Sequence, residues 1–414
     1  MSRRLFDHLL GRAIRHGTLD VRHADGGVTR LGAPVAGYPD VAIRLRDERV
    51  ARDILLDLSL GAAEAFMDGR LLVERGDIMA LVQLLRMNGR WDRGGSKPRA
   101  SLGRRLRNRA AFALEQVNRQ VSARGNVAHH YDIGNALYRL MLDEEHMQYS
   151  CAYWPGDGMT LAEAQEAKLA HIAAKLAVRP GDMVLDIGCG WGGMAIYLAR
   201  HFDCSVHGVT LSREQLALAE ERAKAAGVAD RIIFELIDYR DLPAREFRYD
   251  RIVSVGMFEH VGRPQFPTFF RACAELLADD GVMLLHTIGR MGGPGTTDAF
   301  TRKYIFPGGY IPALSETVAA SEKVRLIAAD VETWRLHYAR TLRAWHARCE
   351  ANREAIVALH DERFYRMWTF YLAGATAAFE SGSMCNYQIQ YIRRRDALPL
   401  TRGYMAEAEQ RLTR

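Results

Sequence analysis

The chain has 414 residues, long enough for two domains or for one large domain with a smaller companion. With 48% apolar and 26% charged residues and a modest net charge of +6, it reads as globular, and no run approaches the roughly 18 consecutive apolar residues of a membrane-spanning helix. Its six scattered cysteines include no CxxC pair, which argues against a disulfide framework and a structural zinc site and favours reduced thiols in a cytosolic enzyme.

The N-terminus, MSRRLFDHLLGRAIRHG, begins like a signal peptide, but Asp7, His8 and Arg12 interrupt its apolar part, so a cytoplasmic chain is the simpler reading. Leu5, Phe6, Leu9, Leu10 and Ile14 share one helical face, better suited to a core than to a membrane. TLDVRHADGGVTRL predicts a hairpin around Asp25-Gly26-Gly27, VAIRL a further strand, and helical patterns run from about Asp47 to Met87. Residues 1 to about 90 therefore form a small α+β domain. Between Arg86 and Arg119, ten Lys/Arg stand against only Asp92 and Glu115, in a stretch rich in Gly, Ser and Pro. This region, about 91–120, is either a solvated linker or a polybasic patch for an anionic membrane surface, each basic residue there contributing about 1 kcal/mol. No nucleic-acid-binding motif accompanies the charge.

From Leu161 the rhythm changes. The helical pattern LAEAQEAKLAHIAAKLAV leads to the strand MVLDIG, and helices then alternate with SVHGVT, IIFELID, YDRIVSV and GVMLLHTIG. Alternation of this kind predicts an α/β fold with a doubly wound, mostly parallel sheet, here in a catalytic domain over about 121–400. Beyond Phe300 the pattern is mostly helical to Glu380, giving a helical cap over about 300–380, and NYQIQYIRR returns as a strand to the sheet edge.

VLDIGCGWGGMAIYLA sets Gly188, Gly190, Gly192 and Gly193 between a strand and a helix, where glycines allow a tight turn and close approach of backbone to a ligand. A dinucleotide site would carry an acid at the end of the next strand, and Thr210 stands there instead. The acid is Asp186, inside the first strand. LDIGCG resembles motif I of class I S-adenosylmethionine (SAM) methyltransferases, a Rossmann-like fold, and Asp238 in LIDYRDL stands where that superfamily commonly bonds the adenine amino group.

HYDIGNALYRLMLDEEHMQYSCAYW, LDIGCGWGG, GVTLSREQ, FEHVG, LLHTIG, YIFPGGYIP and HYARTLRAWH follow one another in that order. Together, from about Ala128 to Arg393, they resemble the cyclopropane-fatty-acyl-phospholipid synthase family, which includes the mycolic acid cyclopropane synthases. The resemblance implies transfer of a methylene group from SAM to the cis double bond of an acyl chain in a membrane phospholipid. A carbocation forms, and a bound bicarbonate takes the proton that lets the ring close. It also implies a homodimer working peripherally at the inner membrane surface.

The resemblance assigns bicarbonate to Cys151, Glu259, His286, Ile288 and Tyr338, partly through backbone at Cys151 and Ile288. It places Tyr149, Ser150, Asp186, Gly188, Gly190, Gly192, Thr210, Leu211 and Tyr239 at the cofactor, with Gln215 near its ribose and Asp238 at its adenine. Tyr304, Phe306 and Tyr310 are candidates for the acyl channel or for cation–π contact with the carbocation, with ordinary packing as the alternative. Taken alone, Cys151 reads as a buried core cysteine and His286 as a satisfied core histidine. Glu259 and His286, however, both follow adjacent strands at the carboxyl end, where doubly wound folds place ligands. Three rivals remain: a related enzyme making methyl- or methylene-branched chains, a non-catalytic lipid-binding module on this scaffold, and a nicotinamide dehydrogenase, which Thr210 disfavours.

Overall fold

A computed structural model describes residues 2–95 and 134–412. Most of the basic stretch and His130–Ile133 of the HYDIGN motif lie outside the described residues. In chain order, α1 (Ser2–Ala13) precedes β1 (Gly17–Arg22), β2 (Val28–Ala33), β3 (Asp40–Leu45), α2 (Arg49–Leu56), α3 (Leu58–Met67), β4 (Leu71–Arg75) and α4 (Ile78–Met87). Next come α5 (Asn135–Met141), α6 (Leu161–Leu176), β5 (Met183–Ile187), α7 (Gly193–His201), β6 (Ser205–Thr210) and α8 (Arg213–Ala225). They are followed by β7 (Ile232–Leu236), β8 (Tyr249–Val255), α9 (Phe266–Leu276), β9 (Leu277–Arg290), α10 (Leu314–Glu322) and β10 (Ile327–Trp334). The chain ends with α11 (His337–Ala351), α12 (Arg353–Leu359), α13 (Glu362–Glu380), β11 (Met384–Ile392) and α14 (Gly403–Leu412).

Contacts divide the chain into two units. The first joins the N-terminal residues to Thr297–Pro307 and Ala339–Ser383. Its sheet has the order β2-β1-β3-β4, with the expected β1–β2 hairpin and β1 parallel to β3. The helical stretch from Asp47 to Met87 is in fact interrupted twice, by Asp57, whose carboxylate caps α3 by accepting from the Ser59 and Leu60 N–H groups, and by β4. Most of the segment expected as a cap on the catalytic domain belongs to this unit instead. The reason is apolar: Ala373 and Phe370 of α13 complete the core built by Phe6, Val21, Val41, Ile43 and Leu84. Arg363 pairs with Asp68 at 2.8 Å, and Gln83 donates to Glu380 at 2.8 Å.

The second unit carries a seven-stranded sheet of order β10-β11-β9-β8-β5-β6-β7. The pairings from β7 through β9 are all parallel, and β11 runs antiparallel to both its neighbours. β11 therefore does not return to the edge. The edge is β10, hidden in a stretch read as helical because its outward residues alternate exposed and half-buried with no buried face until Trp334. Leu169, Ile172, Ala173 and Leu176 of α6 cover one face of the sheet against Val184, Val253 and Leu284. Phe266, Phe269 and Phe270 of α9 cover the other against Ile252, Met283 and Leu285. A doubly wound sheet thus emerges as anticipated, with its ligand-facing loops at the carboxyl ends of β5, β6, β8 and β9.

Candidate active site

The glycine loop follows β5. The Gly188 and Cys189 N–H groups donate to the Val209 carbonyl at 2.9 and 3.0 Å, which fastens the loop to the end of β6. Gly188 has φ +82°, and a Cβ there would come within 2.8 Å of Met257, so both conformation and space require glycine. Gly190 and Gly192 also have positive φ, and α7 begins directly after them. Asp186 is 2% exposed and its Oδ2 has no partner among the described residues. Burial pushes its pKa up to about 7, against the pull of the Lys168 charge. Trp191 of the loop donates Nε1–H to Asn135 Oδ1 at 2.8 Å and packs on Tyr138, which in turn meets Tyr149.

Around this loop, Thr210 donates its hydroxyl to Gln215 Oε1 at 2.8 Å, and Ser212, one residue after Leu211, caps α8. Asp238 is buried, and both its oxygens already accept from Arg240, at 2.8 Å from Nε and 2.6 Å from a terminal nitrogen. Tyr239 stands edge-on to Phe269, with Arg240 over its ring. An adenine at this end would share Asp238 with a guanidinium that the sequence reading did not include.

On the acceptor side, Glu259 sits in a 3₁₀ turn just beyond β8. Its Oε1 accepts from the Ile288 N–H at 2.6 Å, its carbonyl accepts from the Tyr310 N–H at 2.9 Å, and its Oε2 is buried without a partner among the described residues. Burial pushes its pKa up to about 7. His286 pairs with Gln388 across β9–β11 and is 1% exposed. Its Nδ1 lies 3.1 Å from Gln388 Nε2, its Nε2 lies 3.4 Å from Asn386 Nδ2, and Trp334 meets its ring edge-on. Burial holds its pKa well below the usual histidine value, so the ring is neutral. A neutral imidazole accepts at one nitrogen and donates at the other, so one of the two amides meets it through oxygen.

Ser150 joins the two sides. A Cβ on Gly256 would lie 3.6 Å from the Ser150 Cβ, and the Gly256 N–H donates to the His286 carbonyl at 2.9 Å. Cys151 is fully buried with its thiol toward the Ala152 carbonyl at 3.3 Å, which suits neither a metal ligand nor an exposed nucleophile. The following residues lead to Tyr338: the Trp154 N–H donates to Nδ1 of its neighbour His337 at 3.0 Å, and Tyr338 itself is buried. The structure thus brings Ser150, Glu259, His286 and Ile288 to one end of the sheet, with Cys151 and Tyr338 on the segments beside them.

Residues 118–389 match the family described as mycolic acid cyclopropane synthetase. The chain belongs to that family. It is 38% identical over 379 residues to the cyclopropane-fatty-acyl-phospholipid synthase of Escherichia coli K12, covering 90% of this chain and 93% of that one. A probable fatty acid methyltransferase of Pseudomonas putida is 42% identical over 273 residues, covering 64% of this chain and 68% of its own. Among solved structures, the cyclopropane synthase MmaA2 of Mycobacterium tuberculosis superposes with a TM-score of 0.61 at 32% identity, covering 65% of this chain and 97% of that one. Mycolic acid cyclopropane synthase CmaA1 complexed with SAH and CTAB gives 0.61 at 33%, with the same two shares. The fold is therefore that of the class I SAM methyltransferases, and the chain is a SAM-dependent enzyme of this type.

The residues fit SAM by an observation of their own: a buried carboxylate oxygen on Asp186, without a partner among the described residues, and three positive-φ glycines stand together before a helix N-terminus. Sequence reasoning missed Lys168 and Gln165 of α6, both fully buried and bonded to Gln148–Ser150. Their signal was present: Gln165, Lys168, His171 and Lys175 recur at helical spacing along an alanine-rich helix.

The three aromatic candidates fall in different units. Tyr304 and Phe306 belong to the first unit, Tyr310 to the second. Tyr310 is 1% exposed, donates to Glu316 Oε2 at 2.6 Å and packs on Phe266, and its N–H on the Glu259 carbonyl makes it a support for the Glu259 turn. Tyr304 donates to Glu64 at 2.8 Å and has Lys303 and Arg363 over its ring, so its π face already serves cations of this chain. Phe306 meets Tyr371 at 6.1 Å between centroids.

Proposed function

We propose that the enzyme transfers a methylene group from SAM to the cis double bond of unsaturated acyl chains in membrane phospholipids, forming cyclopropane fatty acids. The observation that carries this is Glu259: a buried carboxyl bonded through Oε1 to the N–H of Ile288, two residues along β9 from a neutral His286, with Oε2 unpartnered among the described residues. A phospholipid substrate is supported by the length of the likeness, because the relative named for phospholipid covers 90% of the chain, N-terminal unit included. The mycolic acid synthase of M. tuberculosis that is 37% identical covers 62%.

SAM, when bound, supplies an electrophilic methyl group, and bicarbonate, when bound, supplies the base that the family resemblance implies. The chain's own residues prepare for both. Asp186 and the glycine loop offer a carboxylate oxygen and close backbone approach to the cofactor. Glu259 can hold a proton at Oε2 near neutral pH, so it can give a hydrogen bond to a bound anion or accept one from it. His286 stays uncharged, clamped by Asn386 and Gln388, and adds no cation beside a carbocation. Cys151 and Tyr338, both buried, close the wall against water, which a carbocation requires.

Peripheral attachment at the cytoplasmic membrane surface and a homodimer belong to the same proposal. No described helix is long and apolar enough to cross a membrane, and the basic stretch from Arg86 to Arg119 is the chain's supply of charge for anionic headgroups. A product with a methyl or methylene branch is the second reading, supported by the P. putida relative. SAM carrying a CD₃ methyl, given with liposomes of unsaturated phospholipid, separates the two by mass spectrometry and NMR. Two deuteriums retained with loss of the alkene and a cyclopropyl signal is the expected result. Three retained deuteriums would mean transfer without loss of a methyl proton and would overturn ring closure.

A further inference from the structure

The segment from Asp143 to Cys151 is held more tightly than a connecting loop needs to be. Met147 has φ +48°, a left-handed conformation that costs a non-glycine residue on the order of 1 kcal/mol. The Asp143 carboxylate accepts from the N–H groups of His146, Met147 and Gln148 at 2.6, 3.1 and 3.1 Å. From the side of α6, Gln165 Nε2 donates to the carbonyls of Gln148 and Ser150 at 3.2 and 3.0 Å. Lys168 Nζ donates to Ser150 Oγ at 3.0 Å and to Gln148 Oε1. Opposite α6 the segment bears on the glycine loop and on β8: a Cβ at Gly193 would strike the His146 carbonyl and the Gln148 amide, and Gly256 faces Ser150.

Lys168 is fully buried, and both its bonding partners are neutral, a hydroxyl and an amide oxygen. An ammonium in that setting is costly, and a methionine would fill the same space without the cost. Its partners explain the lysine: they are the side chains on either side of Tyr149, in the stretch that presents Tyr149 and Ser150 to the cofactor. We propose that Lys168 is the positioning residue that fixes the strained Met147–Cys151 segment against the glycine loop, so that Tyr149 and Ser150 meet SAM in a single geometry. This rests on the SAM site assigned above.

Calorimetric titration with SAM of wild type, Lys168→Met, Gln148→Leu and the double variant tests it, with melting temperatures measured alongside. Severing the tether is expected to weaken SAM roughly tenfold to a hundredfold, the span of a hydrogen bond to a charged group. Adding Gln148→Leu to Lys168→Met should then weaken it by less than about twofold more, because both changes cut the same link and Gln148 is not itself assigned to the cofactor. Lys168→Met binding SAM like wild type, or fully additive losses, overturns the proposal. Should Lys168→Met not fold, Gln165→Leu cuts the neighbouring tether without removing a charge. It should weaken SAM by roughly three- to tenfold, and wild-type affinity there overturns the proposal too. Wild type that binds no SAM would instead overturn the cofactor site itself.

Discussion

Glu259 concentrates much of the site's electrostatic cost in one carboxyl. Burial lifts its pKa from the ordinary 4.5 to about 7, while the hydrogen bond from the Ile288 N–H pulls it down. With the folded value raised above the unfolded one, its stabilising contribution is complete below about pH 4.5 and lost as pH rises through about 7. Glu259→Gln removes that dependence. Urea unfolding of the cofactor-free proteins should show the variant gaining about 2–3 kcal/mol on wild type between pH 5 and pH 8.5. Asp186 and Lys168 also titrate near 7, but they are common to both proteins and cancel in the comparison. The same variant should retain SAM binding and lose methylene transfer by about a hundredfold or more. Equal pH slopes, or full activity, would remove Glu259 from the role assigned to it. That this glutamate stands beyond a strand was legible in FEHVG. That one oxygen is bonded and the other has no partner among the described residues was not, because the bond comes from Ile288, 29 residues away.

At the scale of elements, α6 does more than cover the sheet. Its apolar residues face Val184 and Leu284, while its buried polar stripe reaches three other parts of the second unit. Lys168 and Gln165 hold the Tyr149–Ser150 segment. His171 bridges Glu332 of β10 at 2.8 Å and Glu409 of α14 at 3.1 Å, and Lys175 also pairs with Glu332. Burial disfavours the imidazolium, but the hydrogen bonds to the two carboxylates outweigh it and raise the His171 pKa. The stabilisation is thus full below the unfolded value of 6.5 and fades as pH rises through the folded one. Hydrogen exchange of α14 amides, corrected for intrinsic rates, should show less protection at pH 9 than at pH 6. In His171→Gln that difference should vanish. Protection independent of pH in wild type would mean that the ion pairs do not hold α14.

At the scale of the whole molecule, the first unit is discontinuous in sequence. Its core needs Phe370 and Ala373 of α13, which follow the N-terminal strands by some three hundred residues. Residues 1–95 alone should therefore melt without a cooperative transition by circular dichroism, their buried face left open where α13 packs. A sharp reversible transition would show that the N-terminal region is self-sufficient.

The sequence by itself determined the hairpin at Asp25–Gly27, the β-α alternation from Leu161, the glycine loop and the family. Each is written in spacing of two or 3.6 residues or in adjacent motif residues, and so needs no distant partner. Only the tertiary structure decided that β11 lies inside the sheet with β10 at its edge, and that α13 joins the N-terminal core. It also decided that Tyr310 supports Glu259 and that Lys168 is buried against Ser150. These are pairings between residues far apart along the chain, and burial of apolar surface selects them only once all the elements compete for the same core.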